Sequence, residues 1–284
     1  MPPETIGILH PGAMGVSIAA CALRSGHQVC YASAGRGDAT LARASEHNLR
    51  DLKTLSTLCA ECSIIISVCP PHAAEDVAQQ VSDHGFKGLY LDANAISPGK
   101  SQRIGEVLTS AGIAFVDGGI IGGPAWEPKR TWLYLSGEQA QGAAALFSAG
   151  PLETAVIGDE VGKASALKMC YAAYTKGNSA LLCAIMASAE ALGVREDLER
   201  QWSRGGSDFA EQTTNRVRRV TGKAWRFAGE MDEIAATFES AGLPGGFHAA
   251  AGKIFERMAC FKDATSTPEL DAVLDALLDP ELSV

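Results

Sequence analysis

Up to about residue 158 the chain alternates between two hydrophobic periods, and no other feature of its 284 residues limits the fold as much. Short strand-type runs stand at 6–9, 28–32, 64–68, 89–93 and 114–117, with later ones at 131–136 and 155–157. Ala-rich stretches with helical spacing, such as 14–25 and 73–84, lie between several of them. A strand that runs parallel to its predecessor needs a crossover, and a helix supplies it, so the pattern predicts a parallel sheet covered by helices. After Asp159 the strand-type runs stop. Residues 161–193 form one long helical pattern, and others follow around 208–220, 223–241, 247–263 and 268–278. Residues 242–246, GLPGG, break the series, and Pro268 after Thr267 marks a helix start. The expected division is an α/β domain over 1–158 and an all-α domain over 159–284, joined through a long shared helix.

The first strand runs into Ile6-Gly7-Ile8-Leu9-His10-Pro11-Gly12-Ala13-Met14-Gly15, which nearly spells the dinucleotide loop G-x-G-x-x-G. In such a βα turn the first glycine allows a tight bend, the second lets the backbone approach a pyrophosphate, and the third packs helix on strand. Gly12 and Gly15 keep the last two roles, while His10 replaces the first glycine and Pro11 contributes no N–H. Free N–H groups at the helix start would still favour an anion. A strand, this loop, a helix and a second strand follow one another at the expected length, which predicts a Rossmann-type nucleotide domain. An NAD-preferring site places Asp or Glu about twenty residues on, to hold the ribose hydroxyls. Here the strand end reads Cys30-Tyr31-Ala32-Ser33-Ala34-Gly35-Arg36, without an acid. Ser33 can hydrogen-bond a 2′-phosphate and Arg36 can neutralise it, so NADP(H) is expected over NAD(H).

A net charge of −9 argues against a generally nucleic-acid-binding surface. No apolar run suits a membrane span, and residues 1–5 lack a basic secretory start, so the expected location is the cytoplasm. Cys59 and Cys62 have metal-ligand spacing but no second pair, and the eight cysteines read as reduced thiols with no metal expected.

From Ala164 to Ala191 the chain is nearly free of charge, with small and apolar residues on every side of the helix, so burial all round is expected. Lys168 sits within it. An unpaired buried ammonium costs several kcal/mol or loses its proton, so a lysine in a dry cleft suits general acid/base work. Tyr171 and Ala172 share its helix face, and Lys176 lies about eighty degrees round.

With these pieces the sequence resembles the β-hydroxyacid dehydrogenase superfamily, which includes 6-phosphogluconate and 3-hydroxyisobutyrate dehydrogenases. Pro11 to Gly15 matches its first loop. Residues 91–98, LDANAISP, look like the strand-end substrate segment, and 117–123, DGGIIGG, like the second one. Residues 162–168 resemble the start of the interdomain helix, whose lysine is the family's acid/base residue. Residues 223–231, KAWRFAGEM, are similar to a C-terminal domain of poorly characterised bacterial members. The resemblance implies cofactor contacts from His10, Pro11, Gly12, Ala13, Met14, Gly15, Ser33, Arg36, Cys69, Pro70, Asn94 and Lys223. It implies substrate contacts from Asn94, Gly122, Gly123 and Tyr171, with Lys168 catalytic.

Three departures bear on substrate. Ala172 replaces the family's asparagine, Ile121 a serine before the double glycine, and Asn94-Ala95 the usual Ser-Thr. A more apolar pocket is expected, and the basic cluster for a sugar phosphate is not evident. The expected chemistry is reversible hydride transfer between NADP(H) and a small hydroxy acid, alcohol or carbonyl. An imine reductase on the same fold and a non-catalytic NADPH-binding protein are the rivals; Lys168 counts against both, while Tyr171 and the apolar pocket favour the imine reductase. The resemblance also implies a homodimer with a cleft between the domains.

Overall fold

The computed structural model describes residues 2–279. In chain order its elements are β1 (Thr5–Ile8), α1 (Ala13–Arg24), β2 (Gln28–Tyr31), α2 (Asp38–Glu46), β3 (Arg50–Asp51), α3 (Leu55–Glu61), β4 (Ile64–Ser67), α4 (Ala74–Asp83), β5 (Leu89–Asp92), α5 (Pro98–Ser110), β6 (Ala114–Gly122), β7 (Thr131–Ser136), α6 (Ala140–Ala145), β8 (Glu153–Val156), α7 (Lys163–Ala191), α8 (Arg195–Trp202), α9 (Phe209–Ser240), α10 (Gly246–Glu256) and α11 (Leu270–Leu278). The chain divides into two compact units, Met1–Met169 and Cys170–Val284, so the division falls inside α7 and not before it. No helix among the described residues is long and apolar enough to cross a membrane.

The first unit is built on an eight-stranded sheet in the order β3-β2-β1-β4-β5-β6-β7-β8. The first six strands run parallel, β7 turns back antiparallel to β6, and β8 runs parallel to β7. Side chains alternate between the two faces with period two. Ile6, Ile8, Ile64, Ile66, Leu91 and Val116 pack with Val16 and Ile18 of α1 and with α6. Ile65, Tyr90 and Phe115 pack on the opposite face with Leu58 of α3, Val81 of α4 and Ile104 of α5. Each such side chain contributes about 1.5–3 kcal/mol by leaving water, so both layers are needed to hold the sheet flat against its helices.

β6 is longer than its apolar run. It continues through Gly122 because β7 pairs along it from Asp117↔Ser136 to Gly122↔Thr131. By register, Ile8, Ile66, Leu91 and Val116 stand level across the sheet. Residues 118–122 therefore project past β5 on the edge where the loop after β1 lies.

In the second unit α9 is one continuous helix, where the sequence pattern gave two segments around Gly222. Its buried stripe of Val217, Val220, Ala224, Met231 and Ile234 runs straight past Gly222, which faces outward and costs only its propensity. α10 ends at Glu256 and α11 starts at Leu270, both shorter than the pattern suggested. The expectation that residues 164–191 are buried all round is overturned. Tyr171 is 49% exposed, Tyr174 72% and Leu181 43%, so α7 buries one side and shows an apolar stripe on another.

Candidate functional site

Gly12 is the N-cap of α1 in an extended conformation, and no side chain caps the helix. The first-turn N–H groups therefore lack intrahelical partners, and a Cβ at Gly12 would meet nothing within 4 Å. Gly15 does the opposite work: a Cβ there would run into the His10 carbonyl oxygen, so its absence lets helix and loop close up. His10 adopts no left-handed backbone angle. Its buried Nδ1 has no hydrogen-bond partner, nor does the buried Nε of Arg36. Burial first, and the charge of Arg36 second, push the imidazole down to about 4. Arg36 in turn lies within electrostatic reach of Cys69 at the end of β4.

An acid does stand beside Ser33, contrary to what its local sequence suggested. The Ser33 N–H donates to Asp51 Oδ1 at 3.2 Å, and the same carboxylate takes Lys53 N at 2.8 Å and Lys53 Nζ at 2.6 Å. It is thus engaged within its own turn.

Asn94, expected to touch substrate and cofactor, is 2% exposed and its amide is engaged inside the protein. Its Oδ1 accepts from Cys69 N at 2.6 Å, while Nδ2 donates to Ser67 Oγ at 3.1 Å and Asp92 Oδ2 at 2.9 Å. Asn94 shapes the site by clamping the turn at Cys69 and leaves Pro70 exposed at its rim. Asp92 beneath it is fully buried, and burial pushes its carboxyl up to about 7 despite the Asn94 N–H donated to it.

The next strand carries a second buried carboxylate that the sequence reading did not single out. Asp117 Oδ1 accepts from Ser101 Oγ at 2.9 Å and Ser165 Oγ at 2.6 Å. Its Oδ2 accepts from Ser136 Oγ, Gly162 N and Ser165 N, each at 3.0 Å. The last two are amides at the start of α7, so a negative group meets the positive helix end. Two residues on, a Cβ at Gly119 would stand 3.0 Å from Lys168 Cβ and press on the Ala164 carbonyl. Gly119 thus lets α7 lie against β6 with the half-buried Lys168 at the contact. Gly122 has φ +125 and is crowded by Arg130 and Thr131, whereas Gly123 is open and its carbonyl accepts from Thr131 Oγ1 at 2.7 Å.

The NAD-binding domain model of 6-phosphogluconate dehydrogenase matches residues 5–146, half of the chain. The chain belongs to that family. A domain of unknown function, DUF1932, matches residues 189–258. An uncharacterised 28.5 kDa protein of Methanothermus fervidus is 33% identical over 186 residues, covering 64% of this chain and 70% of that one. A conserved protein of unknown function, whose structure shows similarity with 3-hydroxyacid dehydrogenases, is 26% identical with a TM-score of 0.67 and covers 99% of both chains. The 3-hydroxyisobutyrate dehydrogenase of Mycobacterium tuberculosis shares the fold at 18% identity and TM-score 0.69, over 98% of this chain and 100% of that one.

The residues of this family member fit a nicotinamide dinucleotide. An uncapped helix start, an open cradle at Gly12, and orphaned nitrogens on His10 and Arg36 all gather at one sheet edge. Buried polar atoms are usually hydrogen-bonded, so the two unpartnered nitrogens leave donors or acceptors free for a ligand.

The other expected site residues belong to the second unit. Tyr171 and Lys223 are exposed there, and Ala172 is buried at 1%. The lysine the fold does bury is Lys176, 9% exposed, whose Nζ pairs with buried Glu230 and lies 4.9 Å from the Phe227 ring centre.

Proposed function

We propose that this protein is an NADP(H)-dependent oxidoreductase acting on a small hydroxy acid, alcohol or carbonyl compound, with Lys168 as general acid/base. One observation carries the reading: Lys168 is packed against Gly119, on the same sheet edge as the glycine loop. By register Gly119 stands about level with Pro11, three strands away, or roughly 14 Å at the usual strand spacing. A dinucleotide whose pyrophosphate met the glycine loop would direct its nicotinamide half along that edge towards Lys168. The bound nicotinamide supplies or accepts the hydride. Lys168 takes the hydroxyl proton in oxidation and returns it in reduction, while Gly123 offers backbone contacts to substrate. Tyr171, one turn beyond Lys168 on the same helix, serves as a second donor.

Preference for NADP(H) rests on Ser33 and Arg36, with the one neighbouring acid already engaged by Lys53. Ile121 supports a substrate with few polar contacts. Exposed Tyr171 beside a lysine also favours a second reading, reduction of an imine. The apolar stripe of Tyr171, Tyr174 and Leu181 supports a homodimer, and eight unpaired thiols suit the cytoplasm.

The test measures oxidation of NADPH with keto acids, aldehydes and cyclic imines, for wild type and Lys168→Met. Turnover should drop about 10²- to 10⁴-fold in the variant, with NADPH affinity within about twofold. Unchanged turnover removes Lys168 from the chemistry, and tighter binding of NADH removes the cofactor preference. Light scattering that shows a monomer at micromolar concentration removes the dimer.

A further inference from the structure

Close packing explains Gly15, and Gly12 leaves open ground for a ligand, but neither gives the side chain of His10 a task. Its Nδ1 and the Nε of Arg36 are both buried and unpartnered. They come from different elements, the end of β1 and the turn after β2, and lie close enough for the charge of Arg36 to act on the imidazole. Around them stand Arg43 of α2, whose Nε donates to the Pro11 carbonyl at 3.4 Å, and Cys69 after β4, a thiol that burial pushes up to about 11. Asp92 faces Cys69 from β5. No carboxylate pairs with His10 or Arg36 among the described residues.

Two groups able to carry positive charge, side by side with no anion, gain nothing from each other. Burial first, and the Arg36 charge second, keep the imidazole neutral down to about pH 4. An anion placed between them would reverse this, since it attracts Arg36 and favours the protonated imidazole. The nucleotide expected at this edge carries such a group in its 2′-phosphate, a near-dianion with three acceptor oxygens.

We infer that His10 and Arg36 together form the receptor for the phosphate that distinguishes NADP(H) from NAD(H), and that His10 takes up one solvent proton as the nucleotide binds. The proton sits on Nδ1, which then donates to a phosphate oxygen. This inference rests on the cofactor reading above. It gives the missing first glycine a purpose: the loop surrenders a flexible bend and gains a proton-linked contact.

If binding only restores the imidazole to its ordinary value near 6.5, affinity rises about 30-fold from pH 8 to pH 5 through His10 alone. The phosphate titrates near pH 6 itself, so the quantity to read is the ratio of wild type to His10→Asn. Calorimetry with NADP⁺ and NAD⁺, at pH 5, 6, 7 and 8, should show that ratio climbing about 30-fold for NADP⁺ and staying flat for NAD⁺. An imidazole NMR titration of the wild type should move His10 from about 4 to above 6 when NADP⁺ is added. Arg36→Gln should raise the His10 value in the free protein and weaken NADP⁺ binding.

Parallel pH profiles for wild type and His10→Asn overturn the inference and leave the cofactor reading standing. An equal climb with NAD⁺ also overturns it, because the proton would then answer to the pyrophosphate. If the wild type binds neither nucleotide, the cofactor reading falls and this inference with it. The NMR titration uses unaltered protein, so it decides the matter even if a variant does not fold.

Discussion

Replacing Asp117 tests the claim that one carboxylate sets the start of α7. Its two oxygens take three hydroxyls and two backbone amides from Ser101, Ser136, Gly162 and Ser165, and the residue is fully buried. Asp117→Asn keeps the shape. The amide oxygen can still accept from Ser136 and the two helix amides, while the NH₂ faces Ser101 and Ser165, whose hydroxyls can rotate to accept. Charge assistance is lost but no donor is orphaned, which costs about 2–3 kcal/mol. Asp117→Ala removes the acceptor altogether and strands the Gly162 and Ser165 amides in a cavity, at about 4–5 kcal/mol. For a unit of this size 1 kcal/mol shifts the melting temperature by roughly 2–4 °C. The Asn variant should therefore melt roughly 5–10 °C lower and the Ala variant roughly 10–20 °C lower, by calorimetry at pH 7. Lys168 lies one turn beyond Ser165, so both variants should lose turnover beyond their loss of stability when assayed well below the melting point. An Ala variant within about 2 °C of wild type would falsify the reasoning, because it would mean the five donors find other partners.

Further outcomes concern two of the other buried acids, Glu230 and Asp92. Lys176→Met strands Glu230 without its counter-charge and should cost about 3–5 kcal/mol in urea denaturation, while adding Glu230→Leu recovers much of that loss. No recovery in the double variant rules out a simple ion pair. Asp92 holds a proton up to about pH 7 in the folded chain but only to 3.8 when unfolded, so its contribution is full below 3.8 and lost as pH rises through 7. Asp92→Asn removes that slope, so its stability relative to wild type should climb by up to about 4 kcal/mol between pH 4 and pH 8. A constant difference across that range contradicts a proton on Asp92.

How much of this was legible in the chain depended on whether a signal is local. Short apolar runs placed seven strands, and 131–136 coincides with β7, because a buried strand is written in adjacent residues. β3 escaped, having two charged residues and no apolar run. α8 buries nothing and α2 only Ala44, so neither left a stripe to find. The cradle at Gly12 and the close approach at Gly15 were readable from spacing alone. Asp117 was not, since its donors come from three separated stretches and only folding gathers them. The buried lysine shows the same limit. A charge-poor helix pointed to Lys168, yet which lysine is enclosed depends on Glu230, 54 residues after Lys176.

One border of the sheet has a consequence for the chain's behaviour when crowded. β3 offers a visiting strand only Arg50 and Asp51, with Arg50 tied to Glu61 at 2.8 Å and Asp51 to Lys53. So short and charged a rung cannot template the growth of a longer ribbon. Recruitment of unfolded chains would have to begin at the far border instead, along the four residues of β8, where partly exposed Val156 is the weak point.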